Sequence, residues 1–216
     1  MVDDIHLTEE EQIERLKGWW KQNAISILLG VGGGLGLVFG YQYWQQQRVS
    51  VAENASAEFQ QVIENTTPEL EALITTSNKF KTEYASTPYA VKVALLSAKH
   101  SVENNALDSA ATELRWVVDN AKDTFTQHLA RTRLASVLVE QNKLDEAKSL
   151  VSITNKGSFE SNYHEIDGDI ARLQEDFSAA KTSYEKALEA AGSDPYAEVL
   201  QLKVNKMNSL VSSQAK

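Results

Sequence analysis

The chain has no cysteine and only three prolines among its 216 residues. Without cysteine, disulfides and thiol redox chemistry are closed to it in any compartment, so the fold must stand on packing alone. The motifs of common catalysis are missing as well. Its histidines, His6, His100, His128 and His164, form no H-E-x-x-H and have no cysteine neighbours, so a zinc site lacks its usual spacing. Ser178-Ala-Ala-Lys181 fits S-x-x-K, but neither S-D-N nor K-T-G follows. The stretch from Gly30 to Gly36 is glycine-rich but lies in an apolar run without the lysine of a phosphate loop. Glu165-Ile-Asp-Gly-Asp169 places carboxylates near one another on a helix, where turn contacts and packing account for them. No catalytic, metal or cofactor-binding residue is assigned, and an enzyme is not expected.

Positive charge is in deficit, with 21 Lys and Arg against 30 Asp and Glu. Six of the acidic and three of the basic residues precede the apolar run, which leaves the part after it at a net charge of about −6. Such a surface repels phosphate backbones, so nucleic acid is excluded as an expected partner.

What the chain does have is one uncharged apolar run, Ala24 to Trp44. As a helix it reaches about 30 Å, the thickness of a bilayer's hydrocarbon core. Trp19 and Trp20 precede it, and Tyr43 and Trp44 close it, where amphipathic rings favour the headgroup level. Arg15, Lys17 and Lys21 lie before the run, and only Arg48 closely follows. The bias puts the N-terminus in the cytoplasm and the remainder across the membrane. A cleaved signal peptide does not fit, because the exit is bulky and the nearest A-x-A, Ala55-Ser56-Ala57, lies too far downstream. The expected organisation is a cytoplasmic segment 1–23, a transmembrane helix 24–44 and an exported domain 45–216. Gly32, Gly36 and Gly40 recur every four residues on one face of the run, and Ser26, Gly30 and Gly34 on another. Small residues at this spacing admit a second helix close to the backbone, so these six are expected helix-packing residues. A homo-oligomer and a membrane complex are both allowed.

Beyond the anchor no period-2 alternation is convincing, and apolar residues recur at three and four, as in Val91, Leu95, Ala98 and Val102. The chain is therefore expected to be all-α. Thr67-Pro68, Thr87-Pro88 and Asp194-Pro195 each set a capping oxygen before a proline at a first helical position. Thr8 and Glu11 have capping-box spacing. Gly157-Ser158 and Gly192-Ser193 read as a helix end followed by a start.

Three segments superpose on Ala110, Ala147 and Ala180. Three residues earlier stand Leu107, Leu144 and Phe177; twelve earlier, the small Ala98, Ala135 and Gly168. Four later come Leu114, Val151 and Tyr184; seven later, Val117, Thr154 and Ala187. Turns are expected at Asn105-Ala106, Asn142-Lys143 and Glu175-Asp176. The spacings of 37 and 33 residues match the tetratricopeptide unit of two antiparallel helices better than a bundle with chance spacing. In such a stack the first helices line a concave groove. Its residues would be Lys92, Leu95, Lys99 and Val102, then Leu129, Thr132, Ser136 and Val139, then Asn162, Glu165, Asp169 and Arg172. This mixed surface suits a peptide or a partner's helix. A helix over 195–212 would cap the open end.

The chain resembles the YfgM-type ancillary subunits of the bacterial SecYEG translocon. Leu16-Lys-Gly-Trp-Trp20, Tyr41-Gln-Tyr-Trp-Gln45, Thr87-Pro-Tyr-Ala90, Ala98-Lys99 with Val102-Glu103, Leu114-Arg-Trp-Val117, His128-Leu-Ala-Arg-Thr-Arg-Leu-Ala135 and Glu165-Ile-Asp-Gly-Asp169 carry the resemblance in order along nearly the whole chain. It implies a single-pass inner-membrane protein with a periplasmic tetratricopeptide-like domain. The implied partners are SecYEG, the periplasmic chaperone PpiD and nascent exported polypeptides, which such a protein would help pass to chaperones. Asp167 departs from the repeat pattern, standing where a large apolar residue is expected. A membrane-anchored scaffold that self-associates or organises another envelope complex is the alternative.

Overall fold

A computed structural model describes residues 9–65 and 69–214, and every regular element among them is helical. The caps expected at Thr8 and at Thr67-Pro68 lie outside the described residues. Helix α1 runs unbroken from Glu9 to Glu64, and the chain divides into two compact units, one ending at Glu53 and the other beginning at Asn54.

In the first unit, α1 contains a stretch long and apolar enough to cross a membrane. Ile25, Leu28, Leu29, Leu37 and Phe39 are all exposed, so among the described residues none covers these side chains. At its end the Arg48 guanidinium sits 4.7 Å from the centre of the Trp44 ring. That pairing gives the cation an aromatic partner where the apolar run stops.

In the second unit, the last turns of α1 bury Ala55 and present Glu58 to α2 (Leu70–Glu83), where Lys79 lies at 2.7 Å. The helices that follow are α3 (Pro88–Glu103), α4 (Leu107–Asn120), α5 (Thr124–Glu140) and α6 (Leu144–Val151). A 3₁₀ turn, Gly157–Phe159, leads into α7 (Glu160–Leu173), and α8 (Phe177–Ala191) and α9 (Ala197–Gln214) complete the stack. The fold is all-α and tetratricopeptide-like, with α3–α4, α5–α6 and α7–α8 as its helix pairs.

The three turns are built alike. Asn105, Asn142 and Glu175 have φ of 57°, 58° and 61°. The next residue's N–H reaches back five positions, from Ala106 to Ser101, Lys143 to Leu138 and Asp176 to Ala171, at 2.8–3.0 Å. A left-handed residue with this backbone bond closes the last turn of a helix and reverses the chain. It sets each second helix antiparallel to its first. Ala110, Ala147 and Ala180 are then fully buried, as are Tyr184 and Ala187, and Leu114 and Val151 nearly so. Each of the larger of these side chains stabilises the fold by about 1.5–3 kcal/mol.

Several local expectations change. Helix α6 stops at Val151, so Thr154 is an exposed loop residue and not the seventh-position core residue. Ser152 turns its hydroxyl onto the Lys148 carbonyl at 2.8 Å, and Asn155 Oδ1 accepts the Gly157 N–H at 3.2 Å. Such side-chain bonds compete with helix continuation. Gly157, at φ 51°, opens the 3₁₀ turn instead of ending a helix. Pro195 is not the first residue of α9: Asp194 accepts the Tyr196 N–H at 2.7 Å, and the helix begins at Ala197 and runs to Gln214. Thr87 does precede α3, but its hydroxyl donates to the Tyr84 carbonyl and caps nothing. Gly192, at φ 58°, ends α8 as expected.

Candidate partner-binding groove

The first helices α3, α5 and α7 wall a cavity of about 790 Å³. Of the twelve groove residues read from the sequence, nine line it: Leu95, Lys99 and Val102 from α3, Leu129, Thr132 and Ser136 from α5, and Asn162, Glu165 and Asp169 from α7. Leu114, Phe159 and Ile166 add apolar floor. The other three are drawn elsewhere. Lys92 is held over the rings of Phe59 and Tyr89, at 5.6 and 5.3 Å. Val139 packs against the apolar core, and half-buried Arg172 interacts with the Tyr184 hydroxyl.

The repeat reading missed what Tyr196 and Lys203, just before and within α9, do at the groove's α7 side. A step of about 34 residues, the tetratricopeptide period, carries Asn162, Glu165, Asp169 and Arg172 onto Tyr196, Val199, Lys203 and Lys206. Tyr196 lines the cavity. Its hydroxyl donates to Glu165 at 2.7 Å, and Lys203 Nζ meets Glu165 at 2.7 Å and Asp169 at 3.0 and 3.2 Å. Tyr184 donates to Asp169 at 2.7 Å. Burial and the Glu165 carboxylate push the Tyr196 phenol up to about 12. Burial, with the Asp169 carboxylate, pushes Tyr184 further in the same direction. Both hydroxyls therefore stay protonated donors at neutral pH. The period of 34 was the signal that could have found these residues. Asp167 faces away from the groove and pairs with Lys148 at 2.8 Å, which explains a polar residue at that position.

The remaining polar candidates are engaged elsewhere. Lys181 pairs with Glu185 at 3.7 Å, while Ser178 is exposed on the first turn of α8. His128 Nδ1 and the Tyr163 hydroxyl are 2.8 Å apart in the core. His164 lies between Lys156, at 3.4 Å, and Glu160, at 3.7 Å, and His100 lies 3.7 Å from Glu103. His6 lies outside the described residues. In the first unit, Ser26 is exposed, and a β-carbon on Gly30, Gly32, Gly34, Gly36 or Gly40 would meet nothing within 4 Å. The two small-residue stripes are open to an approaching helix.

The family model for the tetratricopeptide repeat-like domain matches residues 17–209. A Haemophilus influenzae protein named ancillary SecYEG translocon subunit is 28% identical over 201 residues, which cover 93% of this chain and 98% of the relative. Relatives of the same name from Neisseria gonorrhoeae and Escherichia coli are 29% and 25% identical, covering 94% and 95% of this chain and 98% and 99% of their own. No solved structure matches the chain significantly.

Proposed function

We propose that this chain, which belongs to the tetratricopeptide repeat-like domain family, is a non-enzymatic ancillary subunit of the SecYEG translocon. The observation that carries the reading is colinearity. The Haemophilus, Neisseria and Escherichia relatives bearing that name align along 93–95% of the chain, a span that takes in both the apolar helix and the helical-repeat domain. The protein spans the inner membrane once, N-terminus in the cytoplasm and residues after Trp44 in the periplasm, as the Lys and Arg bias supports. The stripes of Ser26, Gly30 and Gly34 and of Gly32, Gly36 and Gly40 meet membrane-embedded partner helices. The groove, through residues such as Leu95, Leu129 and Asp169, engages a PpiD-type chaperone or the emerging polypeptide and helps pass exported chains onward.

Site-specific photocrosslinking in native membranes tests this reading, with probes at Leu37 in the apolar helix and at Leu95 and Leu129 in the groove. Crosslinks from Leu37 to a translocon subunit, with groove crosslinks to PpiD or exported chains, are expected. Crosslinks only between copies of this chain would overturn it in favour of a self-associating scaffold.

A further inference from the structure

Five charged side chains line the groove: Lys99, Glu103, Arg133, Glu165 and Asp169. Lys99 and Glu103 face each other at 3.6 Å, and Glu165 and Asp169 share Lys203. Arg133 has no ion pair or hydrogen bond among the described residues, although its guanidinium offers five donors. The groove that it lines also carries apolar side chains, Leu95 and Val102 from α3, Leu129 from its own helix and Ile166 from α7. A carboxylate and a guanidinium form a charge-assisted, two-pronged pair stronger than a neutral hydrogen bond. This exposed cation also stands out on a chain of net charge −9.

From this charge complementarity we infer that the groove's occupant is an apolar polypeptide segment carrying an acidic side chain, which Arg133 takes in a two-pronged pair. The inference rests on the groove reading above. Arg133 belongs to the middle of the three first helices, so the groove continues on both sides of it. That placement selects a side-chain carboxylate within a passing segment rather than a chain terminus. Lys203 of α9 is already committed to Glu165 and Asp169 on the α7 side.

The test pans the full-length protein, in lipid nanodiscs, against short synthetic peptides with amidated C-termini, so that only side chains carry carboxylates. Wild type, Arg133→Glu and Leu129→Asp are compared, with thermal melts reporting folding. Wild type is expected to select apolar peptides bearing Asp or Glu, and the Glu→Gln twin of a selected peptide to bind about tenfold more weakly. Arg133→Glu should prefer the Lys twin instead. Selected peptides that bind equally well as Gln twins, while Leu129→Asp abolishes binding, would overturn the Arg133 assignment and leave the groove reading standing. Peptide binding indifferent to Leu129→Asp, or no binding by wild type, would overturn both.

Discussion

A β-carbon on Gly168 would stand 2.5 Å from both Cδ1 and Cε1 of Tyr184, so α7 and α8 meet through the fit of these two residues. At the equivalent repeat positions the first two pairs have Ala98 with Leu114 and Ala135 with Val151. The third places a fully buried tyrosine on the second helix, and only the absence of a side chain on the first makes room for it.

Gly168→Ala should therefore destabilise the domain by about 1–3 kcal/mol, the cost of overpacking, despite alanine's better helix propensity. Denaturant unfolding of the single variants and of Gly168→Ala with Tyr184→Leu checks this. The second change should recover part of the loss, and an additive double mutant would show that the two residues do not share the space.

Glu113 is a buried carboxylate between α2 and α4, 2.7 Å from Ser77 Oγ and 2.8 Å from Lys81 Nζ. Glu113→Ala strands the Lys81 ammonium, whose side chain is only 10% exposed, and should cost about 3–5 kcal/mol. Replacing the pair together, Lys81→Met with Glu113→Leu, should cost far less, because no charge is then left buried alone. Thermal melts of the three variants distinguish a stranded charge from lost packing.

Glu175 holds φ at 61° at the α7–α8 turn, where its two counterparts are asparagines. A left-handed conformation costs a non-glycine residue about 1–2 kcal/mol, and less for asparagine. Glu175→Gly should stabilise the domain by about 1 kcal/mol, whereas Asn105→Gly should change it by only a few tenths. Equal shifts in denaturation midpoint for the two variants would count against this reading of the turn.

His128 is buried against Phe159 and Tyr163, and burial, with Arg131 nearby, holds its imidazole below the ordinary value of 6.5. Burial and Lys156 act on His164 in the same direction. A folded-state value below the unfolded one means that the unfolded chain takes up the proton first as pH falls. The full contribution is present above about 6.5 and is lost as pH drops through that value toward the folded-state one. Thermal midpoints should fall between about pH 7.5 and pH 5.5, and fall less in His128→Gln. A flat profile for wild type would contradict it.

The parts legible in the sequence were those written in local pattern. An uncharged run from Ala24 to Trp44 can satisfy its backbone in a bilayer only as a helix, so its composition named it. The small residues Ala98, Ala135 and Gly168, and turns such as Asn105 and Asn142, declared the repeat, because close helix approach and left-handed backbone each demand particular residue types. Element ends were less legible. Helix α6 yields at Val151 to the side-chain bonds of Ser152 and Asn155, which periodicity does not register.

Sequence alone determined the helical class, the apolar segment, the repeat and nine of the residues that face the groove, since each follows from spacing along one helix. Tertiary structure decided how those residues are used. It turned Lys92 onto the rings of Phe59 and Tyr89, gave Glu165 and Asp169 to Lys203 of α9, and left Arg133 open toward the groove. Those choices depend on distances between helices far apart in the chain, and pairing energies fall off too steeply with distance for spacing to predict them.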